Sequence, residues 1–208
     1  MVLMEKLNSA FKPNTPIFME EIQALLSDYS RPRIYQFIAE AVKNGALMRY
    51  DNGVYYIPTK TLLGVSKLNP QKIIEKKYIS SGNSIYGIYG GTLLLNSMGV
   101  TTQVPTVMEI FTNNETWRRR EVMIGYQKVI LRKARMTITA ENVELFRLME
   151  FFNGIDINKM DKDTSFAGVI AYIRDKKWTR DEVMAYAQNF PAKAVKNLLQ
   201  SGVLYEIA

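Results

Sequence analysis

The stretch "SRPRIYQFIAEAVKNGALMRYDNGVYYIP", residues 30–58, is the one on which the reading of the fold turns. Ser30 is a residue type that caps helices, and Pro32 sits in the first turn, where its missing N–H costs nothing. From there Ile34, Phe37, Ile38, Ala41 and Val42 recur at helical spacing, and Gly45 stands where helices stop. Two strand-like runs then flank Asp51-Asn52-Gly53, a strong hairpin signal, and Pro58 ends the second run. The helix opens with Arg31 and Arg33 around its proline and leaves Tyr35, Gln36 and Lys43 off the apolar stripe. A helix serving only as core needs none of these.

Working outward, "MEEIQALLSD" (19–28) places Ile22, Leu25 and Leu26 on one helical face, and residues 27–30 break the helix with turn formers. The first sixty residues thus read as three short helices and a hairpin, the pattern of a winged helix-turn-helix. In that fold the second helix of the turn pair lies in the DNA major groove. Arg31 and Arg33 would reach phosphate or guanine, Gln36 an adenine edge, and Tyr35 and Lys43 would lie alongside. Arg49, Tyr50 and Asn52 at the wing tip would touch backbone or minor groove. The alternative is a winged helix used only for protein contacts, its arginines simply solvated.

The chain has 208 residues, enough for a small module and a medium one. It lacks cysteine and histidine, which excludes disulfides, thiol nucleophiles, zinc–cysteine sites and histidine-based dyads or triads. No run of eighteen apolar residues and no charged-then-apolar leader is visible, so a cytoplasmic protein without membrane contact is expected. The net charge of +7 is unevenly spread. Residues 1–60 carry seven Lys or Arg against six Asp or Glu, residues 61–140 eleven against four, and residues 141–208 nine against ten. The low charge of the first segment weighs against phosphate binding, but Glu20, Glu21 and Asp28 lie on the helix and turn before the proposed reading helix.

"TKTLLGVSKLNP" (59–70) reads as a linker, and "PQKIIEKKYIS" (70–80) as a helix with Ile73, Ile74, Tyr78 and Ile79 inward and three lysines outside. Domains of 1–65 and 66–208 follow. Gly87, Gly90 and Gly91 match neither phosphate-loop spacing, so close packing of a helix on a strand explains them better. "TVMEIFT" (106–112) is strand-like, and Val129, Ile130 and Leu131 form another strand centre beside Arg132 and Lys133. Trp117 with Arg118, Arg119 and Arg120 is the densest charge run. It reads equally as a grip for nucleic acid, through phosphate contact and stacking, and as a solvated turn. Beyond residue 139 the grammar is helical: a Thr139 cap, helices over 163–176 and 179–190, and a last one over 191–202. Glu141, Glu144, Glu150, Asp161 and Asp163 read as surface acids. No catalytic constellation emerges, so an enzyme is not expected, nor a cofactor or metal. The fold class is α+β: an N-terminal winged helix-turn-helix plus a larger mixed α/β domain ending in a helical bundle.

The combination "NGVYYIP", "YGIYGGTLLLNSMGVTTQVP", "FTNN" and "KVILRKA" before an "NVELFRL" helix resembles the AbiEi-type antitoxins of bacterial abortive-infection systems. The resemblance covers nearly the whole chain, and "LLNSMGVTTQVP" is its most specific part. It implies an N-terminal winged helix that represses its own operon at inverted repeats, and a C-terminal domain that neutralises a nucleotidyltransferase-like toxin encoded beside it. In this type IV scheme of phage defence no stable toxin complex is needed. By position, Arg31, Arg33, Tyr35, Gln36 and Lys43 would be the reading helix, and Arg49 to Asn52 the wing. Arg118–Arg120, Arg132 and Lys133 are the first candidates for antitoxic activity. A transcriptional regulator whose second domain binds a small effector, or a protein partner, stands as the alternative.

Overall fold

The computed structural model describes residues 2–62, 64–160 and 166–206 and is mixed α+β, with several small sheets. It divides into two compact units, Met1–Lys76 and Lys77–Ala208. No helix among the described residues is long and apolar enough to cross a membrane.

In the first unit, α1 (Val2–Ala10), β1 (Ile17–Phe18), α2 (Met19–Leu25), α3 (Arg31–Lys43), β2 (Met48–Asp51) and β3 (Val54–Tyr56) follow in order. The strands form an antiparallel sheet in the order β1-β3-β2. Strand β1, two residues long and too short to show alternation, pairs Ile17 with Tyr55 and Phe18 with Val54. Leu7 of α1, Ile22 and Leu26 around α2, Ile34 and Ile38 of α3, and Ile17 of β1 are buried in one core. Burial of each such side chain contributes roughly 1.5–3 kcal/mol. Phe37 and Val42 are only half-buried at the edge of the α3 stripe. Ser30 holds the extended N-cap conformation, but its hydroxyl makes no capping bond, so the proline-led turn starts α3 without one. Gly45 follows the last turn at φ 75°, and Gly53 turns the hairpin at φ 71°.

Residues 59–70, read from sequence as a linker, are largely tied into this unit. Strands β4 (Lys60–Thr61) and β5 (Gly64–Val65) pair, Ser66 N–H donates to the Thr59 carbonyl at 2.9 Å, and the Ser66 hydroxyl donates to Asn14. Helix α4 (Pro70–Tyr78) then buries Ile73 and Ile74 as its pattern requires. Lys76 does not stay outside. Its ammonium donates to the Pro16 carbonyl at 2.8 Å and pairs with Glu21 at 2.7 Å, over the rings of Phe11 and Phe18. The two compact units divide after Lys76, whereas the sequence reading set the boundary near residue 65.

In the second unit a small hairpin, β6 (Ser80–Ser81) and β7 (Ser84–Ile85), precedes β8 (Gly87–Tyr89), α5 (Gly91–Ser97), β9 (Val107–Thr112), β10 (Arg120–Ile124) and β11 (Gln127–Lys133). The sheet order is β10-β11-β9-β8, with β9 and β11 parallel and the two outer pairings antiparallel. The glycines meet β9 at close range. A Cβ on Gly87 would lie 1.9 Å from the Tyr78 carbonyl oxygen and 2.9 Å from that of Phe111, and one on Gly90 2.7 Å from the Phe111 ring.

Helices α6 (Val143–Gly154), α7 (Ala167–Lys176), α8 (Arg180–Ala187) and α9 (Ala192–Ser201) complete the unit. Asn142, not Thr139, stands at the N-cap of α6, and its side-chain oxygen accepts from Thr139 N–H at 2.9 Å. The start expected for α7 at 163–165 lies outside the described residues. Thr179 and Glu182 form the reciprocal cap of α8. Phe146 of α6 meets Phe111 of β9 and Phe190 edge to face at centroid distances of 6.4 and 5.4 Å. The buried Asn197 amide donates to the Phe152 and Ile155 carbonyls at 2.8 and 3.2 Å, supplying donors the end of α6 otherwise lacks.

Because both obstacles at Gly87 are backbone, neither can swing aside. The Gly87→Ala protein is expected to lose roughly 1–3 kcal/mol of stability. An unshifted urea-denaturation midpoint would contradict this packing.

Candidate nucleic-acid interface

Burial of Ile34, Ile38 and Ala41 turns the rest of α3 outward. Arg31, Arg33, Tyr35, Gln36 and Lys43 are all exposed, and so are Arg49 and Asn52 on the hairpin, while Tyr50 is half-buried. The exposed side chains are partly ordered by one another. Arg33 Nη1 donates to Gln36 Oε1 at 3.2 Å, and Gln36 Nε2 donates to Glu40 Oε1 at 3.0 Å. Gln23 Nε2 reaches the Tyr35 hydroxyl at 3.4 Å, and Arg49 Nη2 donates to Asn52 Oδ1 at 3.1 Å.

A shallow groove of about 410 Å³ runs between the helix and the hairpin, lined by Tyr35, Ala39 and Val42 on one side and Arg49 and Tyr55 on the other. An apolar floor with cationic edges can take a thymine methyl while arginines engage phosphates. The acids of the unit are partly neutralised away from α3: Glu21 by Lys76, and Asp28 by Lys6 at 3.6 Å. Glu40 on α3 itself and Asp51 on the hairpin remain exposed carboxylates beside this face.

In the second unit the basic run is not uniform. Trp117 is 68% exposed and Arg118 is exposed. Arg119 pairs with Glu121 at 2.5 Å, and Glu121 also takes Lys128 at 2.7 Å. Arg120 opens β10 and donates through Nε to Glu115 at 2.8 Å. Two of the three arginines thus serve ion pairs along an edge hairpin, which the charge run alone did not reveal.

Glu115 is buried, at 4% exposure. Burial pushes its carboxyl up, but the amides of Trp117 and Thr116 and the Arg120 guanidinium outweigh that and hold it below the usual carboxylate range. Arg132 is ion-paired with Glu109 across the parallel strands, and Lys133 is exposed at the end of β11.

These last residues line a cleft of about 480 Å³ that residue types and spacing had not brought together. Gly91, Glu109 and Phe111 form one wall, Arg118, Arg132, Lys133 and Arg135 supply cations, and Glu150, Asn153 and Gly154 close it from α6. Glu150 is not the surface acid expected: it is 3% exposed, accepts from Arg135 Nε at 3.1 Å and from Asn153 Nδ2 at 3.0 Å. Its signal was available, since it follows the buried Val143 and Phe146 by seven and four residues. Burial raises its carboxyl above the ordinary range, against the pull of Asn153 and Arg135.

Glu144 is half-buried under the Tyr172 hydroxyl, with Arg147 at 3.1 Å, whereas Glu141 is exposed. Asp161 and Asp163 lie outside the described residues. Among the described residues, no three His, Cys, Asp or Glu side chains gather into a metal-holding group.

Compared with family models, with curated proteins and with solved structures, the chain returns no match.

The two buried carboxyls pull the pH dependence of stability in opposite directions. Glu115, depressed in the folded state, contributes stability above the ordinary carboxyl value of about 4.3 and loses it as pH falls through the depressed value. Glu150, raised in the folded state, contributes fully below about 4.3 and loses that contribution as pH rises through the raised value. Glu115→Gln is therefore expected to flatten the acid limb and cost roughly 1–3 kcal/mol at neutral pH. Glu150→Gln should instead remove a loss of stability toward neutral pH. Urea denaturation from acid to neutral pH checks both signs.

Proposed function

We propose that residues 1–65 are a winged helix-turn-helix that binds double-stranded operator DNA, and that the protein is the antitoxin and transcriptional autorepressor of a bacterial toxin–antitoxin operon. The observation that carries the DNA-binding part is the face of α3: five polar or cationic side chains stand exposed while Ile34, Ile38 and Ala41 are buried, beside a hairpin carrying Arg49 and Asn52. Arg33 and Gln36 are already hydrogen-bonded to each other, so fewer rotamers must be fixed on reading a base. The inverted repeats and the nucleotidyltransferase-like toxin neutralised without a stable complex rest on the resemblance to AbiEi-type antitoxins, and a cytoplasmic location is part of the same proposal. In this reading the second unit supplies antitoxicity, with Trp117, Arg118–Arg120, Arg132 and Lys133 as its first candidates.

A gel shift of the full chain against its own upstream DNA across a salt series tests the DNA-binding part. Specific retardation with affinity falling steeply as salt rises is expected, because phosphate contacts release counterions. Arg33→Ala should weaken specific binding by about 1–3 kcal/mol if it contacts a base. Glu40→Gln should strengthen binding and shift it toward non-specific DNA, because it removes a negative charge beside the phosphates. Unchanged binding in Arg33→Ala would remove α3 as the reading helix. Growth rescue by co-expression with the toxin gene encoded beside it tests the antitoxin part.

A further inference from the structure

The cleft of the second unit has a composition that strand-binding surfaces do not. Four cationic residues, Arg118, Arg132, Lys133 and Arg135, line it together with two acidic ones, Glu109 and Glu150. Arg132 is occupied by Glu109 and Arg135 by Glu150. Neither Arg118 nor Lys133 forms an ion pair with a described residue. The surplus is therefore two cations without an ion pair above two fixed pairs. A phosphate monoester carries about −1.5 to −2 at neutral pH, which matches that surplus.

The carboxylates argue for more than a bare anion. They would repel the phosphates of a passing strand, but they accept hydrogen bonds from hydroxyl and amino groups. Glu150 is held rigid by Arg135 and Asn153, and Glu109 by Arg132. The other Glu109 oxygen, Oε2, lies 2.9 Å from where a Cβ on Gly91 would stand, so the glycine lets that carboxylate sit against the backbone. Leu94 and Phe111 add an apolar wall against which a flat heterocycle can rest. Arg132 and Lys133 come from the carboxyl end of β11 and Glu109 from the middle of β9, parallel strands that the sheet holds in fixed register. The volume, about 480 Å³, falls within the roughly 300–1,000 Å³ of small-molecule sites.

We propose that this cleft binds a nucleoside monophosphate, with Arg118 and Lys133 on the phosphate, Glu109 and Glu150 accepting from sugar hydroxyls or an exocyclic amine, and Phe111 against the base. The site is independent of DNA binding by the first unit.

Isothermal titration of the full chain at low salt with the four ribonucleoside monophosphates, inorganic phosphate and the matching unphosphorylated nucleosides tests it. At least one monophosphate is expected to bind about tenfold or more tighter than both its nucleoside and phosphate alone, since charge and hydrogen bonding act together. The R118A/K133A variant changes two exposed side chains and should melt as the wild type does while binding weakens about tenfold. The single substitution Arg118→Gln gives a second reading should the double variant not fold.

Displacement of the bound nucleotide by a 5′-phosphorylated single strand would support the site with a strand terminus as the nucleotide's source. Its failure to displace would support the free nucleotide. The proposal is overturned by no binding at millimolar concentration, by equal binding of phosphate and nucleotide, by full binding in a folded R118A/K133A protein, or by displacement with unphosphorylated duplex.

Discussion

Helix α3 keeps Ile34, Ile38 and Ala41 out of water, and that one-sided burial orients every other side chain on it. A 3.6-residue period leaves no freedom once the buried stripe is chosen: Arg33, Gln36, Glu40 and Lys43 must face outward together. The sheet edge beside the helix follows from the same core, because Tyr55 of β3 and Ile17 of β1 pack into it. The hairpin that carries Arg49 and Asn52 is thereby fixed next to α3. Any role for this face in binding is a consequence of where the core lies, not of an independent arrangement of polar groups.

In the second unit the corresponding constraint is electrostatic. Glu115 and Glu150 are almost without water, and a buried carboxylate is tolerated only with partners. The structure meets this twice in different ways. Glu115 collects two backbone amides as well as an arginine, which more than offsets its burial. Glu150 has one arginine and one amide side chain, which do not. The first pairs with Arg120 of the edge hairpin, and the second with Arg135 at the cleft. The ion pairs thus decide which basic residues stay available to a ligand: Arg118 and Lys133 do, whereas Arg119 and Arg120 are engaged.

The elements legible in advance were those whose signals are local. Alternation, capping residues and glycine stops marked α2, α3, β2, β3, β9 and the last two helices, because each pattern spans a single element. The sequence missed β1, which is too short to alternate, and the pairing of β4 with β5 in what was read as linker. It also placed Lys76 on the surface, since nothing near it in the chain announces a pocket of Pro16, Glu21 and two phenylalanine rings sixty residues away. Arg31, Arg33, Tyr35, Gln36 and Lys43 are exposed on α3 as the period requires, and so is Glu40, which the sequence reading had not singled out.

The sequence by itself determined the α+β character, the apolar stripes, the glycines that permit close packing and the concentration of positive charge in the middle of the chain. Tertiary structure alone decided which charges remain available. Glu109 and Arg132 sit twenty-three residues apart, and Glu150 and Arg135 fifteen. They become partners only when β9 and β11 align in parallel and α6 closes over them. An ion pair depends on distance and on the removal of water, and neither is encoded by position along the chain.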